Sequence, residues 1–340
     1  MKDAPRGARG AVALALVAAA CGSSTPSPSS SNGTSVARPS GPFAFAASPI
    51  DPAFVEFIAP LGNLNPPGHT LPTDHIYFYY RLLNPSAPAR VVSAPADGTI
   101  QTVINGNNGE AKLLIVAAAP CTYYLDHVVP DAGMGPGVAV RAGQRIGVTN
   151  GSGASFGIDL GIFSDAVTVP FANPARYSSE SLHGDAPIKY FTEPLRSQLY
   201  ALVRRSSGDR DGTFNYDATG RLIGNWFADT VPVASSQSPE NWALHLAFAY
   251  DNYDPSVMRI SSGGALGFVG TPTAVPGSPA PADVSVATGK VVYRLLDARS
   301  PLPFGVMIVQ MIAADRIRVE YGAGDRSDAD FTSAARSYVR

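Results

Sequence analysis

Over residues 76–163 apolar positions come in short runs and alternations, without helical spacing. Residues 76–80 form a continuous aromatic and aliphatic run. Val91-Val92 precedes Ala94-Pro95-Ala96-Asp97-Gly98, and a further apolar-polar alternation covers 99–104. That order reads as strand, turn, strand. Asn105-Gly106-Asn107-Asn108-Gly109 predicts a hairpin turn, because Asn and Gly accept positive φ. Residues 113–119 and 123–129 predict two more strands. Arg141-Ala142-Gly143-Gln144-Arg145-Ile146-Gly147 reads as a tight turn entering a strand, and 157–163 closes the set. A first body over residues 49–178 is therefore expected to be all-β.

The pattern changes once. Leu195, Leu199, Leu202 and Val203 recur at helical spacing within residues 192–205. Thr192 suits the cap, Pro194 the first turn, Arg204 and Arg205 the negative end, and Gly208 the exit. A short helix inside a connector, residues 179–208, is predicted. Strand patterns return over 209–340, the second body. Residues 213–216 and 221–227 flank Asp217-Ala218-Thr219-Gly220 as a predicted hairpin. Residues 242–250 read as a strand, and 270–281 as a loop holding four prolines. Residues 291–296, 306–313 and 316–321 complete the strands. Trp226, Trp242, Phe248, Tyr250 and Tyr253 supply dense aromatics, read as core, with a ligand-stacking platform as the alternative. The fold class is mainly β, with a short helix between two β-rich bodies.

Composition supports this and narrows the partners. The 340 residues include 33 Gly and 30 Pro, favouring many turns over long helices. A net charge of −2 implies no basic face, so nucleic acid is not an expected partner. Lys2, Arg6 and Arg9 precede ten apolar residues at 11–20, too few to span a bilayer. Residues 1–20 therefore read as an export signal. Ala18-Ala19-Ala20-Cys21 resembles a bacterial lipobox, which would lipidate Cys21 and make a membrane the partner of the anchor. Residues 22–42 contain eight Ser and four Pro and cannot bury a core. As a flexible coil these 21 residues would reach roughly 25 Å, and with Cys21 they belong to an expected tether over 21–48. Cys121 would be the one remaining cysteine, read as a buried thiol.

Candidate chemistry concentrates in Pro66-Pro67-Gly68-His69-Thr70-Leu71-Pro72-Thr73-Asp74-His75. Imidazole and carboxylate are zinc ligands, and Asp126-His127 and Asp159 lie on strands of the same body. Each also has a structural reading. His69, His75 and His127 would be half-buried and hydrogen-bonded, and Asp74 would cap a turn. Asp159 stands among apolar residues and needs a partner if buried. Gly153-Ala154-Ser155-Phe156-Gly157 matches a nucleophile-elbow string, but a strand pattern follows it where that elbow needs a helix. The glycine spacing after Asp209-Arg210-Asp211-Gly212 does not fit a calcium loop.

Residues 68–163 resemble the lysostaphin-type (LytM-like, M23) zinc endopeptidase domain. His69 and Asp74 stand for its first ligand pair, with four residues between them where that family has three. Ala94-Pro95-Ala96-Asp97-Gly98 and Ala142-Gly143-Gln144-Arg145-Ile146-Gly147 match its turns, and His127 lies near its strand histidine. The closing strand departs: Gly157-Ile158-Asp159-Leu160-Gly161-Ile162 has no His, where that family places one ligand and one catalytic His. The resemblance implies a lysostaphin-like antiparallel β-sandwich, exported to the cell envelope, with peptidoglycan or envelope proteins as partners. It also implies that the hydrolytic centre is incomplete, so the expectation is a non-catalytic protein without a cofactor. Two alternatives stay open. One is an active zinc endopeptidase with His69, Asp74, His75 and Asp159 at the metal and His127 as the catalytic residue. The other places an interaction or ligand-binding function in the second body.

Overall fold

A computed structural model describes residues 40–151, 155–297 and 300–340. The signal, Cys21 and most of the expected tether lie outside the described residues. The chain is mainly β, built on two antiparallel sheets of ten and nine strands among the described residues. Among those residues no helix is long and apolar enough to cross a membrane.

The first sheet holds β1 (Phe57–Ala59), β2 (Ile76–Tyr79), β3 (Val91–Ser93), β4 (Gly98–Asn105) and β5 (Ala111–Val116). It continues with β6 (Cys121–Pro130), β7 (Ala139–Val140), β8 (Arg145–Thr149), β9 (Gly157–Ser164) and β10 (Gly184–Asp185). The main order is β1-β2-β9-β6-β5-β4-β7, with β3, β8 and β10 branching from it. The predicted turn at 105–109 joins β4 to β5, and Asn108 takes φ 57° there. Inside that order β9 is buried at seven of its eight positions and β6 at six of its ten. Phe78, Leu113, Ile115, Tyr123, Leu125, Ile158 and Leu160 are 0% exposed or nearly so and anchor the first core. Cys121 is buried within that core.

The helix spans Leu195–Leu202, shorter than the predicted 192–205. Thr192 does not cap it; the Glu193 carboxylate accepts the Ser197 N–H (3.2 Å) instead. Leu199 is fully buried and joins the first core together with Phe45 and Phe214.

The second sheet runs in the order β14-β13-β12-β11-β19-β18-β17-β16-β15. Its strands are β11 (Gly224–Ala228), β12 (His245–Tyr250), β13 (Met258–Gly263), β14 (Val269–Gly270), β15 (Thr273–Ala274) and β16 (Lys290–Leu296). β17 (Gly305–Ala313), β18 (Arg316–Ala323) and β19 (Arg336–Val339) complete it. Period-2 alternation divides its faces. Val291, Tyr293, Met307 and Val309 point to the main core, and Val306 and Ile308 point to a small cluster with Ala329. Trp226 and Phe248 are fully buried, as a core reading requires.

Two local predictions fail for identifiable reasons. Residues 213–216 are not a strand. Asn215 accepts the Asp217 N–H (2.9 Å) and Asp217 accepts the Asn225 N–H (2.8 Å), so side chains take bonds a hairpin ladder would use. Residues 239–244 form a 3-10 helix, Pro239–Leu244, before β12 begins at His245. Pro239 sits in its first turn, where a fixed φ favours helical geometry.

Candidate functional site

Asp159 lies on β9 between β2 and β6, paired with Tyr77 on one side and Asp126 on the other. All three side chains therefore share one face of the sheet. Asp159 is 4% exposed, and burial raises its pKa despite the opposing pull of His127 and His75.

β6 carries a bulge at this point. Ala111 pairs with Val128 and Leu113 with Leu125, so Asp126 and His127 together oppose Lys112. His127 takes φ 63°, a left-handed conformation uncommon outside glycine. The Asp126 carboxylate accepts the His127 N–H (2.7 Å) and holds that backbone. Beyond the bulge β6 leaves β9 and pairs with β8. A bulge re-aims side chains, and here two consecutive residues reach the same site.

Each histidine is anchored at Nδ1 and directed at Asp159 through Nε2. His127 Nδ1 lies 2.8 Å from Glu110 Oε2, and His127 Nε2 lies 3.6 Å from Asp159 Oδ2. His75 Nδ1 lies 3.0 Å from Asp74 Oδ1, and His75 Nε2 lies 3.5 Å from the same Asp159 oxygen. Burial opposes charge on His75, but the Asp74 hydrogen bond and Asp159 raise its pKa overall. One ligand atom from each of Asp126, His127 and Asp159 lies within 4.8 Å of the others.

The pair implied as first zinc ligands is arranged differently. His69 is half-buried in the loop before β2, its ring 5.4 Å from that of His75. Burial, reinforced by His75 and His127, pushes its pKa down to about 3. Asp74 is fully engaged: Ser181 donates to Oδ2 (2.6 Å), Tyr124 donates to Oδ1 (3.2 Å), and His75 Nδ1 approaches Oδ1. Burial resists its ionisation, yet His75 and Ser181 hold its pKa well below the usual carboxylate range.

Tyr124 also decides the fate of the closing strand. It pairs with Gly161, and a β-carbon there would stand 2.5 Å from the Tyr124 hydroxyl and closer still to its ring. The phenol fills the place of the second side chain on that strand. Gly161 offers no donor, and Asp74 has no oxygen without a partner. The residues therefore do not fit the zinc arrangement that the lysostaphin-type resemblance implies.

Ser155, from the elbow-like string, donates to Glu110 Oε2 (2.8 Å) and lies 3.0 Å from His127 Nδ1. A Ser-His-acid triad needs hydroxyl and carboxylate on opposite ring nitrogens. Here the hydroxyl and Glu110 both meet Nδ1, Asp159 stays 3.6 Å from Nε2, beyond a hydrogen bond, and β9 follows where an elbow has a helix. Residues 152–154 of that string lie outside the described residues.

No protein-family model matches this sequence, and no curated protein does. Among solved structures, a zinc containing peptidase from Vibrio cholerae is similar over 35% of this chain and 36% of its own, with 16% identity and a TM-score of 0.28. Csd3 of Helicobacter pylori is similar over 39% of this chain and 35% of its own, with 15% identity and a TM-score of 0.28. The chain thus spans about a third of the length of each. Neither similarity assigns a role to a residue.

The structure brings His75, His127 and Asp159 together, sets His69 beside them and withdraws Asp74 into its own network. Glu110, Tyr124 and Ser181 were not singled out from the sequence. Tyr124 could have been, since period 2 puts it on the Asp126 face. Glu110 follows only from the β5–β6 register, and Ser181 comes from a distant segment.

Proposed function

We propose that this chain is a non-catalytic cell-envelope lipoprotein whose first body is a degenerate lysostaphin-like module that binds peptidoglycan or a related envelope ligand. One observation carries the non-catalytic part: Tyr124 stands in the space of a side chain at Gly161 and donates to Asp74. A zinc hydrolase needs open coordination for the attacking water on a complete ligand set. Here the first-pair carboxylate is spent on hydrogen bonds, and the closing strand offers Asp159 with no histidine beside it.

The binding part rests on place. His69 sits on the loop that meets the second body, where Gly68 faces the Trp242 ring and Leu71 packs on the second core. Tyr77 and Tyr79 stack at 5.8 Å on the neighbouring strand. A junction carrying aromatic and imidazole groups suits a polar polymer.

The test uses the full chain in detergent with insoluble peptidoglycan. Sedimentation with the wall and no release of soluble fragments, with or without added zinc, is the expected result. Metal-dependent release of wall peptides would establish the endopeptidase reading instead, and failure to sediment would remove the binding reading.

A further inference from the structure

A surface cleft of about 370 Å³ lies between the turn Pro52–Phe54 and β3, and none of its lining residues belongs to the cluster around Asp159. We propose that this cleft binds a free α-amino acid: Arg90 takes its carboxylate, Asp51 its ammonium group, and Phe54 with Val91 its apolar side chain.

Arg90 supplies the first argument. Its guanidinium lies 3.9 Å from the centre of the Phe54 ring. Among the described residues it forms no ion pair and its side chain donates no hydrogen bond, and its Nε is buried without an acceptor. A guanidinium fixed by a ring presents a planar fork that matches a carboxylate. A carboxylate in the cleft would supply acceptors that the fold itself does not.

Asp51 supplies the second. Its Oδ1 accepts the Ala53 N–H (2.9 Å), which fixes the carboxylate at the start of the turn. Asp51 is exposed and pairs with no cation among the described residues, Arg90 included. One cleft thus carries two opposite charges that leave each other unpaired. A simple anion would be repelled by Asp51, and a simple cation by Arg90. A molecule bearing both charges around one carbon complements both groups.

The walls and the size narrow the class further. Phe54 is 44% exposed and Val91 49%, so apolar surface stands beside the charges. The volume falls near the lower bound of ligand sites, roughly 300–1,000 Å³. That space suits one amino acid with a branched or aromatic side chain. The walls are braced before any ligand arrives: the Ser93 N–H bonds the Pro49 carbonyl (3.0 Å) and the Phe54 N–H bonds the Asp51 carbonyl (2.9 Å). Binding therefore orders little backbone. This inference does not rest on wall binding, because its ligand is a small molecule held by other residues.

The experiment titrates the full chain in detergent with leucine, N-acetylleucine and leucine amide, each as the racemate, by calorimetry, with inorganic phosphate as the anion control. Leucine should bind at one molecule per chain. Blocking either end should weaken binding about 10- to 100-fold, the equivalent of one lost charged hydrogen bond. Asp51→Asn retains the turn cap and should erase the difference between leucine and N-acetylleucine. Arg90→Gln should erase the difference between leucine and leucine amide. The ligand series on the unaltered chain requires no variant to fold. Absence of saturable binding at millimolar leucine would overturn the proposal. N-acetylleucine, leucine amide or phosphate binding as tightly as leucine would overturn it equally.

Discussion

Tyr124 lies across Gly161 on the neighbouring strand, its hydroxyl 2.5 Å from where a β-carbon at that glycine would stand. Gly161→Ala therefore inserts a methyl into space that the Tyr124 phenol fills. A loss of about 1–3 kcal/mol is expected, the range for overpacked cores. Tyr124→Phe keeps the shape and removes only the hydroxyl, which lies 3.2 Å from Asp74 Oδ1 and 3.0 Å from His75 Nδ1, so about 1 kcal/mol should suffice there. Urea unfolding of both variants checks the order, and equal losses would contradict it.

The β4–β5 turn depends on Asn108, which holds φ 57°. A left-handed conformation costs an ordinary L-residue about 1–2 kcal/mol, and a β-branched side chain suffers most. Asn108→Val should destabilise by that amount, whereas Asn108→Gly should change little. The midpoint of denaturant unfolding reads both.

Acid should weaken the second body through His245. Its Nε2 meets the Ser236 carbonyl at 2.6 Å, and burial, aided by nearby Arg176, pushes its pKa down to about 4. Below its ordinary value the unfolded chain takes a proton that the folded chain resists. The contribution is whole above about pH 6.5 and is lost as pH falls toward 4, at most about 3 kcal/mol. In His245→Gln the drop in melting temperature between about pH 7 and about pH 5 should shrink. An undiminished drop would assign the acid sensitivity elsewhere.

Arg340 ties the chain end to the second core. It donates to the carbonyls of Ala218 (2.8 Å), Leu222 (3.3 Å) and Ile223, and its guanidinium lies 4.1 Å from the Trp226 ring centre. Arg340→Ala removes these bonds, although the Trp226 indole still donates to Leu222 and the Arg221 N–H to Ala218, and should cost about 2 kcal/mol, a typical value for hydrogen bonds from a charged group. Arg340→Lys restores the charge but not the planar fork, so it should recover only part. Thermal melting of the two variants separates the contributions.

Local pattern revealed much of the first body. Residues 76–79, 113–116 and 157–163 are strands because their apolar runs are short and bounded by turn residues. β1 escaped because three residues are too few to show an alternation, and β13 and β19 because residues such as Ser261 and Arg336 carry little strand signature and are held by neighbours already in place. The site was half legible. Asp159 stood out as a carboxylate among apolar residues, and His75 and His127 lay close to the right strands. The bulge that turns Asp126 and His127 the same way is a register event, invisible without the partner strand. The loss of Asp74 to Ser181 joins residues 107 positions apart, which no local motif encodes.

Phe45 is wholly buried, bridges Phe191, and exchanges backbone bonds with Tyr190 and Thr192. It lies only a few residues beyond the serine- and proline-rich stretch at the start of the chain. If that leading stretch is fastened to a surface, tension along it arrives at the half-buried Phe43 and then at this phenylalanine. The attachment point is thus a plug seated in hydrocarbon, and mechanical pull would have to extract an aromatic ring before any strand could peel.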